Sequence, residues 1–193
     1  IDEAGRGPLA GPVSVAAVAV FNTSPALVLP RAGLGDSKSL SSRKREQWFK
    51  WLKQRQKNNQ LKFTASLVGE KIIDRIGIVR AVRISIKRCL RRFNLKPREC
   101  RILLDGSLAA PKIYRNQKTI VRGDEKIPII MLASIIAKVR RDRRMIKLAR
   151  VYPNYNFETH KGYGTPAHYR ALHRHGLSPL HRRSFLTRFV RKS

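Results

Sequence analysis

The sequence predicts an α/β fold, a mixed β-sheet with helices packed on its faces. Three observations lead there. Short apolar runs that suit strands alternate along the chain with segments whose apolar residues recur at helical spacing. Turn signals rich in Pro, Gly and Ser separate these segments. Finally, 42% of the 193 residues are apolar, enough for a packed core and too many for a disordered basic tail. The length fits one domain over residues 1–193, with a helical C-terminal part from about residue 150 to 193.

Each element has its own signal. Pro12 to Phe21 is rich in Val and Ala and carries no charge, which predicts a strand buried on both faces at the centre of the sheet. Pro25 to Leu40 is punctuated by Pro and Gly and reads as a loop. Ser41 or Ser42 then caps a basic helix running to about Asn58, with Trp48, Trp51 and Leu52 on its apolar side. Leu61 to Val68 is a bounded, β-prone strand. From Ile78 to Phe93 the apolar positions 78, 79, 82, 86, 89, 90 and 93 trace one helical face, and arginines and lysines fill the rest. "CRILLDGS" and "KTIVRGDEK" are two further apolar runs that end in acid and glycine. Pro128 to about Val151 is a long helix, apolar in its first half and basic in its second. Thr165 caps a helix that has Pro166 at its first position and Gly176 as its stop, and a last basic helix ends the chain. There is no internal repeat.

Charge bounds the partner. The chain has 42 Lys and Arg against 12 Asp and Glu, a formal net charge of +30. A field of that sign draws a polyanion, and nucleic acid held this way is released by salt. The longest apolar runs fall short of the about 20 residues a membrane span needs. No signal-peptide pattern is present, so the expected location is cytoplasmic. Cys89 and Cys100 lack the spacing of a zinc site and are expected to be reduced core residues.

The scarce acids carry the chemistry. Asp2 and Glu3 follow Ile1, Asp105 ends "ILL", and Asp124 follows "TIVRG". If these strands are neighbours, four carboxylates meet at one edge. Such a cluster repels itself unless protons or hard divalent cations offset the charge. Two metals about 4 Å apart are the usual machinery of phosphodiester hydrolysis, so the spacing suggests a metal-dependent nuclease. For any single acid an ordinary loop role is as good a reading; only their joint placement favours the site.

Six stretches together resemble the ribonuclease HII family, the type 2 ribonucleases H. They are "DEAGRGPLAGPV" (Asp2 to Val13), "DSKSL" (Asp36 to Leu40), "LLDG" (Leu103 to Gly106), "VRGDEK...ASIIAKVRRD" (Val121 to Asp142), "HKGYGT" (His160 to Thr165) and "HRRSF" (His181 to Phe185). The resemblance runs in order through almost the whole chain. It implies a ribonuclease H-like fold with a helical C-terminal extension. It also implies hydrolysis of the RNA strand in RNA/DNA hybrids, and incision 5′ to single ribonucleotides in duplex DNA. Further implied are two divalent ions, Mg²⁺ or Mn²⁺, held by Asp2, Glu3, Asp105 and Asp124. The Gly5-Arg6-Gly7 turn would meet the ribose at the scissile position, where only the 2′-hydroxyl tells RNA from DNA. Tyr163 would be the second reader of that sugar, and its flanking glycines favour this over a tyrosine that merely closes a loop. A monomer acting on hybrid or ribonucleotide-containing duplex is expected, and "FVRKS" shows no motif for a sliding clamp. In the family several apolar residues precede the acid pair, where here there is Ile1 alone.

Other residues carry weaker expectations. Ser37 and Lys38 sit at a loop tip that suits a phosphate. Ser134 and Lys138 share a helical face close to Asp124 and are candidates for contacting the substrate backbone. Arg182 and Arg183 either bind phosphate or belong to the general basic surface. Asp142, flanked by arginines, is expected to form local salt bridges, Glu125 is the rival of Asp124, and His160 is expected to be structural. The competing readings are a type 3 ribonuclease H, which "GRGPLAGP" and Tyr163 argue against, and a basic nucleic-acid-binding protein without catalysis.

Overall fold

The uncharged run lies at the centre, as its composition requires. The computed structural model of the protein describes residues 1–21 and 40–190. In it β2 (Val13–Ala19) pairs antiparallel with β1 (Asp2–Ala4) and with β3 (Lys62–Val68), in the register Asp2 to Ala16 and Val15 to Ser66. A second pair, β4 (Ile102–Asp105) and β5 (Gln117–Ile120), is parallel. Two hydrogen bonds join the pairs: the Ile1 amine donates to the Leu103 carbonyl at 2.8 Å, and Asp105 N–H donates to the Ile1 carbonyl at 3.0 Å. The chain before and within β1 is thus bonded to β2 on one side and β4 on the other. This mixed arrangement puts the N-terminal acids beside the acid that ends β4.

The alternation of β2 builds the two layers. Val13, Val15 and Ala17 face a core completed by Val82, Ile86, Cys89 and Phe93 of α3 (Ile78–Phe93) and by Leu104 of β4. Ala16 faces the other core, made with Phe49 and Leu52 of α1 (Ser42–Lys57) and with Leu132, Ile135 and Ile136 of a long helix over Pro128–Val151. Burying both faces of one strand explains its lack of charge. Cys89 and Cys100 are both free thiols, and only Cys89 is fully buried.

Several boundaries match the expectation closely: Ser41 Oγ accepts from Lys44 N–H to cap α1, and α3 spans the anticipated residues. Others differ for identifiable reasons. A short helix α2 (Glu70–Ile76), bracketed by Gly69 and Gly77, was not anticipated because seven residues carry too little periodicity to read. Val79 is 48% exposed and Ala81 lies in the core instead, while Ile78 packs half-buried against that core, so the apolar stripe of α3 differs from the pattern at Val79 alone among its first two positions. On α1 the core is filled by Phe49 and Leu52, while Trp48 and Trp51 are only half-buried and meet edge to face. Two tryptophans at the rim can keep their N–H groups near water, which a phenyl ring does not need.

Past β5 the chain turns through Arg122, at φ 55°, into α4 (Gly123–Lys126) and then α5, the Pro128–Val151 helix. Asp124 therefore stands on a single helical turn and not at a strand end. The C-terminal part contains α6 (Phe157–His160) and α7 (Pro166–His175), capped by Thr165 Oγ1 accepting from His168 N–H and stopped at Gly176. It packs on Met145, Leu148 and Ala149 of α5 and on Ala10. Of the anticipated last basic helix, the described residues hold α8 (Thr187–Val190), which follows a 3₁₀ turn at Arg183–Phe185. Among the described residues no helix is long and apolar enough to cross a membrane.

Candidate active site

The four acids arrive as two backbone-linked pairs. Asp2 and Glu3 are consecutive in β1, and Asp2 Oδ1 accepts from Glu3 N–H at 2.7 Å. Asp105 Oδ1 accepts from Gly123 N–H at 2.6 Å and from Asp124 N–H at 3.3 Å, so the carboxylate ending β4 caps the start of α4 and draws Asp124 alongside. The fit at Gly123 is close: a Cβ would lie 2.7 Å from Ile130 Cδ1 and 3.3 Å from Asp105 Oδ1.

The two pairs share one electrostatic neighbourhood. Burial, then the charges of Glu3 and Asp105, push the Asp2 carboxyl up to about 7, against a lowering hydrogen bond from the Ser134 side chain. Burial likewise raises Glu3, opposed by Arg6. Glu3 Oε2 is buried with no hydrogen-bond partner, an orphaned acceptor that a cation or a proton would satisfy. Among the described residues no three acid or imidazole side chains yet enclose a position for a metal ion. An all-oxygen donor set, an orphaned carboxylate oxygen and mutual repulsion nevertheless suit a hard divalent cation.

Beside the acids, residues 5–12 form a loop held on three sides. Gly5 takes φ +89° and Gly11 +80°, conformations that favour glycine. Leu9 N–H donates to the Gly162 carbonyl at 2.8 Å, Gly11 N–H to the Leu180 carbonyl at 2.9 Å, and Arg182 N–H to the Leu9 carbonyl at 2.7 Å. The "GRG" turn is thereby docked onto "HKGYGT" and "HRRSF", stretches more than 150 residues away in sequence. Gly162 shows how close the approach is: a Cβ on it would sit 2.5 Å from the Ala10 carbonyl oxygen. Arg6 reaches back to Glu3 Oε1 and Ser107 Oγ, each at 3.4 Å. Gly7 is exposed and has no atom within 4 Å of where a Cβ would be, and Tyr163 is 49% exposed. An open glycine and an open aromatic ring thus flank the acids on one docked unit.

Two arginines of this unit are turned inward, and for Arg182 this corrects the expectation of a phosphate contact or a place on the basic surface. Arg182 is fully buried and donates Nε to Gly11 O at 2.9 Å, Nη1 to Arg6 O at 2.9 Å and Nη2 to Gly5 O at 2.7 Å. Arg141, 2% exposed, donates Nε to Pro12 O at 2.9 Å and Nη2 to Ala10 O at 3.2 Å. Burial pulls both guanidinium groups below the ordinary arginine range. Arg183 is exposed, and its N–H donates to Asp74 Oδ2 at 2.9 Å. Ser134 is 1% exposed, and its side chain bonds Asp2 from within the core. Lys138, one turn on, is half-buried. Ser37 and Lys38 lie outside the described residues.

Three histidines support the Tyr163 loop. His160 Nε2–H donates to the Tyr155 carbonyl at 2.6 Å, leaving Nδ1 to accept from Gly162 N–H at 3.1 Å. His168 Nδ1–H donates to the Tyr163 carbonyl at 2.8 Å, so its Nε2 is bare and accepts from His181 Nε2–H at 3.0 Å. His181 Nδ1 in turn accepts from Ser178 N–H at 2.8 Å. Every bond is satisfied only if all three rings are neutral. Burial pushes His168 and His181 down to about 4. His160 is structural, as expected; His168 and His181 were missed because their partnership exists only after α7 folds back. Asp142 pairs with Arg45 of α1 at 3.5 Å and not with its flanking arginines, and Glu125 pairs with Arg122 at 2.9 Å. Both rival acids are therefore engaged elsewhere.

Comparison with known proteins agrees with this arrangement. The family model described as Ribonuclease HII matches residues 1–188. Ribonuclease HII of Coxiella burnetii (strain RSA 493 / Nine Mile phase I) is 43% identical over 185 residues, covering 96% of this chain and 86% of that protein. The crystal structure of ribonuclease H2 from Pyrococcus horikoshii OT3 superposes with a TM-score of 0.70 at 28% identity, covering 100% of this chain and 97% of that one. Bst-RNase HIII in complex with Mn²⁺ shares the fold, with a TM-score of 0.62 at 16% identity over 91% of this chain and 61% of that one.

Proposed function

Because the chain belongs to the ribonuclease HII family, we propose that it is an endoribonuclease that hydrolyses the RNA strand of RNA/DNA hybrids and incises duplex DNA 5′ to a single embedded ribonucleotide. The observation that carries the reading is the continuity of the acid pair with the "GRG" turn: Asp2 and Glu3 lead within two residues to Gly5, whose turn is docked against the loop bearing Tyr163. Cleaving groups and sugar-reading groups are thus rigidly coupled, and geometry of that kind is what lets recognition set the rate.

In this reading Asp2, Glu3, Asp105 and Asp124 hold two divalent cations, Mg²⁺ or Mn²⁺. Bound there, such ions neutralise phosphate charge and make water a competent nucleophile at neutral pH. The protein's own groups do the rest. The backbone of the Gly5-Arg6-Gly7 turn, open at Gly7, approaches the ribose without a side chain between them, and the Tyr163 ring packs on the sugar. Arg6, tied to Glu3, bridges the two halves of the site. Ser134 orients Asp2, and Lys138, Ser37 and Lys38 supply phosphate contacts. The expected working form is a monomer with nucleic acid as its only obligatory partner.

The test is a labelled DNA duplex with one ribonucleotide, incubated with Mg²⁺ or Mn²⁺ beside an all-DNA duplex and a continuous hybrid. Cleavage 5′ to the ribonucleotide is expected, abolished by EDTA and reduced at least about 100-fold by Asp105→Asn. Cutting of the hybrid alone would replace the reading with a type 3 activity, and tight binding with no cut would replace it with a non-catalytic binder.

A further inference from the structure

Arg182 and Arg141 hold five carbonyls of one loop, those of Gly5, Arg6, Ala10, Gly11 and Pro12. Among the described residues neither makes an ion pair. Two buried cations with acids acting on them only from beyond ion-pair distance are an expensive way to fill a core that an apolar side chain could fill. What a guanidinium offers instead is a rigid planar fork of donors that fixes the direction of every carbonyl it meets.

That direction has a consequence on the far side of the loop. All peptide bonds of the described residues are trans, so the C=O of one residue and the N–H of the next point opposite ways. Drawing the Gly5 and Arg6 carbonyls onto Arg182 therefore turns the N–H groups of Arg6 and Gly7 away from it, toward the side where Gly7 is exposed. Arg141 sets the depth of the same loop. A Cβ on Gly5 would lie 2.0 Å from Arg141 Nε, so the turn rests directly on this guanidinium. The same group faces the Tyr163 ring, its Cζ 5.6 Å from the centroid. One arginine thus touches both stretches assigned to reading the sugar.

We propose that Arg182 and Arg141 form an internal clamp that positions the Arg6 and Gly7 amides for a ribose 2′-hydroxyl, making them specificity-determining residues that never touch the substrate. The proposal rests on the ribonucleotide-reading function given above and goes beyond it by naming what aims the reader.

The experiment uses the full chain as wild type, Arg182→Lys and Arg141→Lys. Lysine keeps the charge and most of the length but cannot place several donors in one plane. Binding is measured in EDTA, so that nothing is cut, to two DNA duplexes that differ by a single 2′-hydroxyl, and each protein's melting curve is recorded. Wild type is expected to prefer the ribonucleotide duplex about ten-fold, the scale of one well-made hydrogen bond. Each variant that melts cooperatively is expected to bring that preference within about two-fold while keeping its affinity for the all-DNA duplex within about two-fold. Folded variants that retain the preference, or that lose affinity for both duplexes in equal proportion, overturn the clamp. So does the failure of both variants to melt cooperatively, which would make the arginines determinants of the fold alone. A wild type without preference sinks the ribonucleotide-reading function itself, a result distinct from any of these.

Discussion

Gly5 and Gly7 stand two residues apart and answer to different constraints. Gly5 has φ +89° and would drive a Cβ to 2.0 Å from Arg141 Nε, whereas Gly7 has no neighbour within 4 Å of the same position. Gly5→Ala is therefore expected to cost about 1–3 kcal/mol of stability in denaturant titrations, from strain plus displacement of a buried guanidinium. Gly7→Ala is expected to leave stability within about 0.5 kcal/mol and yet to reduce cleavage at a lone ribonucleotide, because its methyl would stand on the sugar-facing side. Equal stability loss in both would mean that the turn is a structural unit with no open face. At this scale the sequence was unevenly legible. The acids stood out because there are only 12 of them, and their context marked Asp2, Glu3, Asp105 and Asp124. Arg141 could not be singled out among 42 basic residues, and Arg182 stood out only as a phosphate contact or part of the basic surface, since only the folded chain shows that these two are inside.

At the level of elements, α7 and the segment after it carry a pH dependence. His168 and His181 titrate near 6.5 in an unfolded chain and are pushed down to about 4 in the fold. Between those values the unfolded state binds more protons, so stability is full above about pH 6.5 and falls as the pH drops toward 4. Burial is the main cause, and the 3.0 Å bond between the two Nε2 atoms adds to it, because it needs one protonated and one bare nitrogen and acid would set two donors against each other. Urea titrations between pH 7.5 and 5 should show a loss of up to about 2 kcal/mol per histidine, and His181→Gln should remove about half of the total. A profile unchanged by that substitution would assign the acid sensitivity elsewhere. None of this was legible beforehand, although α7 itself was, because Thr165, Pro166 and Gly176 mark its ends locally. The same contrast holds elsewhere. α3 was readable from sixteen periodic residues, whereas α2 was too short to show a period, and the pairing of Ile1 with β4 depends on residues a hundred positions apart.

Over the whole molecule, charge and hydrogen bonding divide the work of recognition. In the proposed function the net charge of +30 would act on the phosphates, which are the same in every duplex, while the amides of the Gly5 turn and the Tyr163 ring would act on one sugar. Displacing counterions from phosphates makes affinity fall steeply with salt, but a hydrogen bond to a neutral hydroxyl releases no counterion. Affinity for an all-DNA duplex should therefore fall about 1,000-fold or more between 50 and 200 mM salt if at least about six phosphates are contacted. The ribonucleotide duplex should lose affinity in parallel, leaving the ratio of the two constants unchanged within about two-fold. Arg141 and Arg182 are buried against backbone carbonyls, so they should add nothing to the salt slope: the lysine variants should run parallel to wild type on the all-DNA duplex. A preference that collapses with salt would mean that the sugar is read through its phosphates. A slope that drops in Arg182→Lys would mean that this arginine reaches the nucleic acid after all.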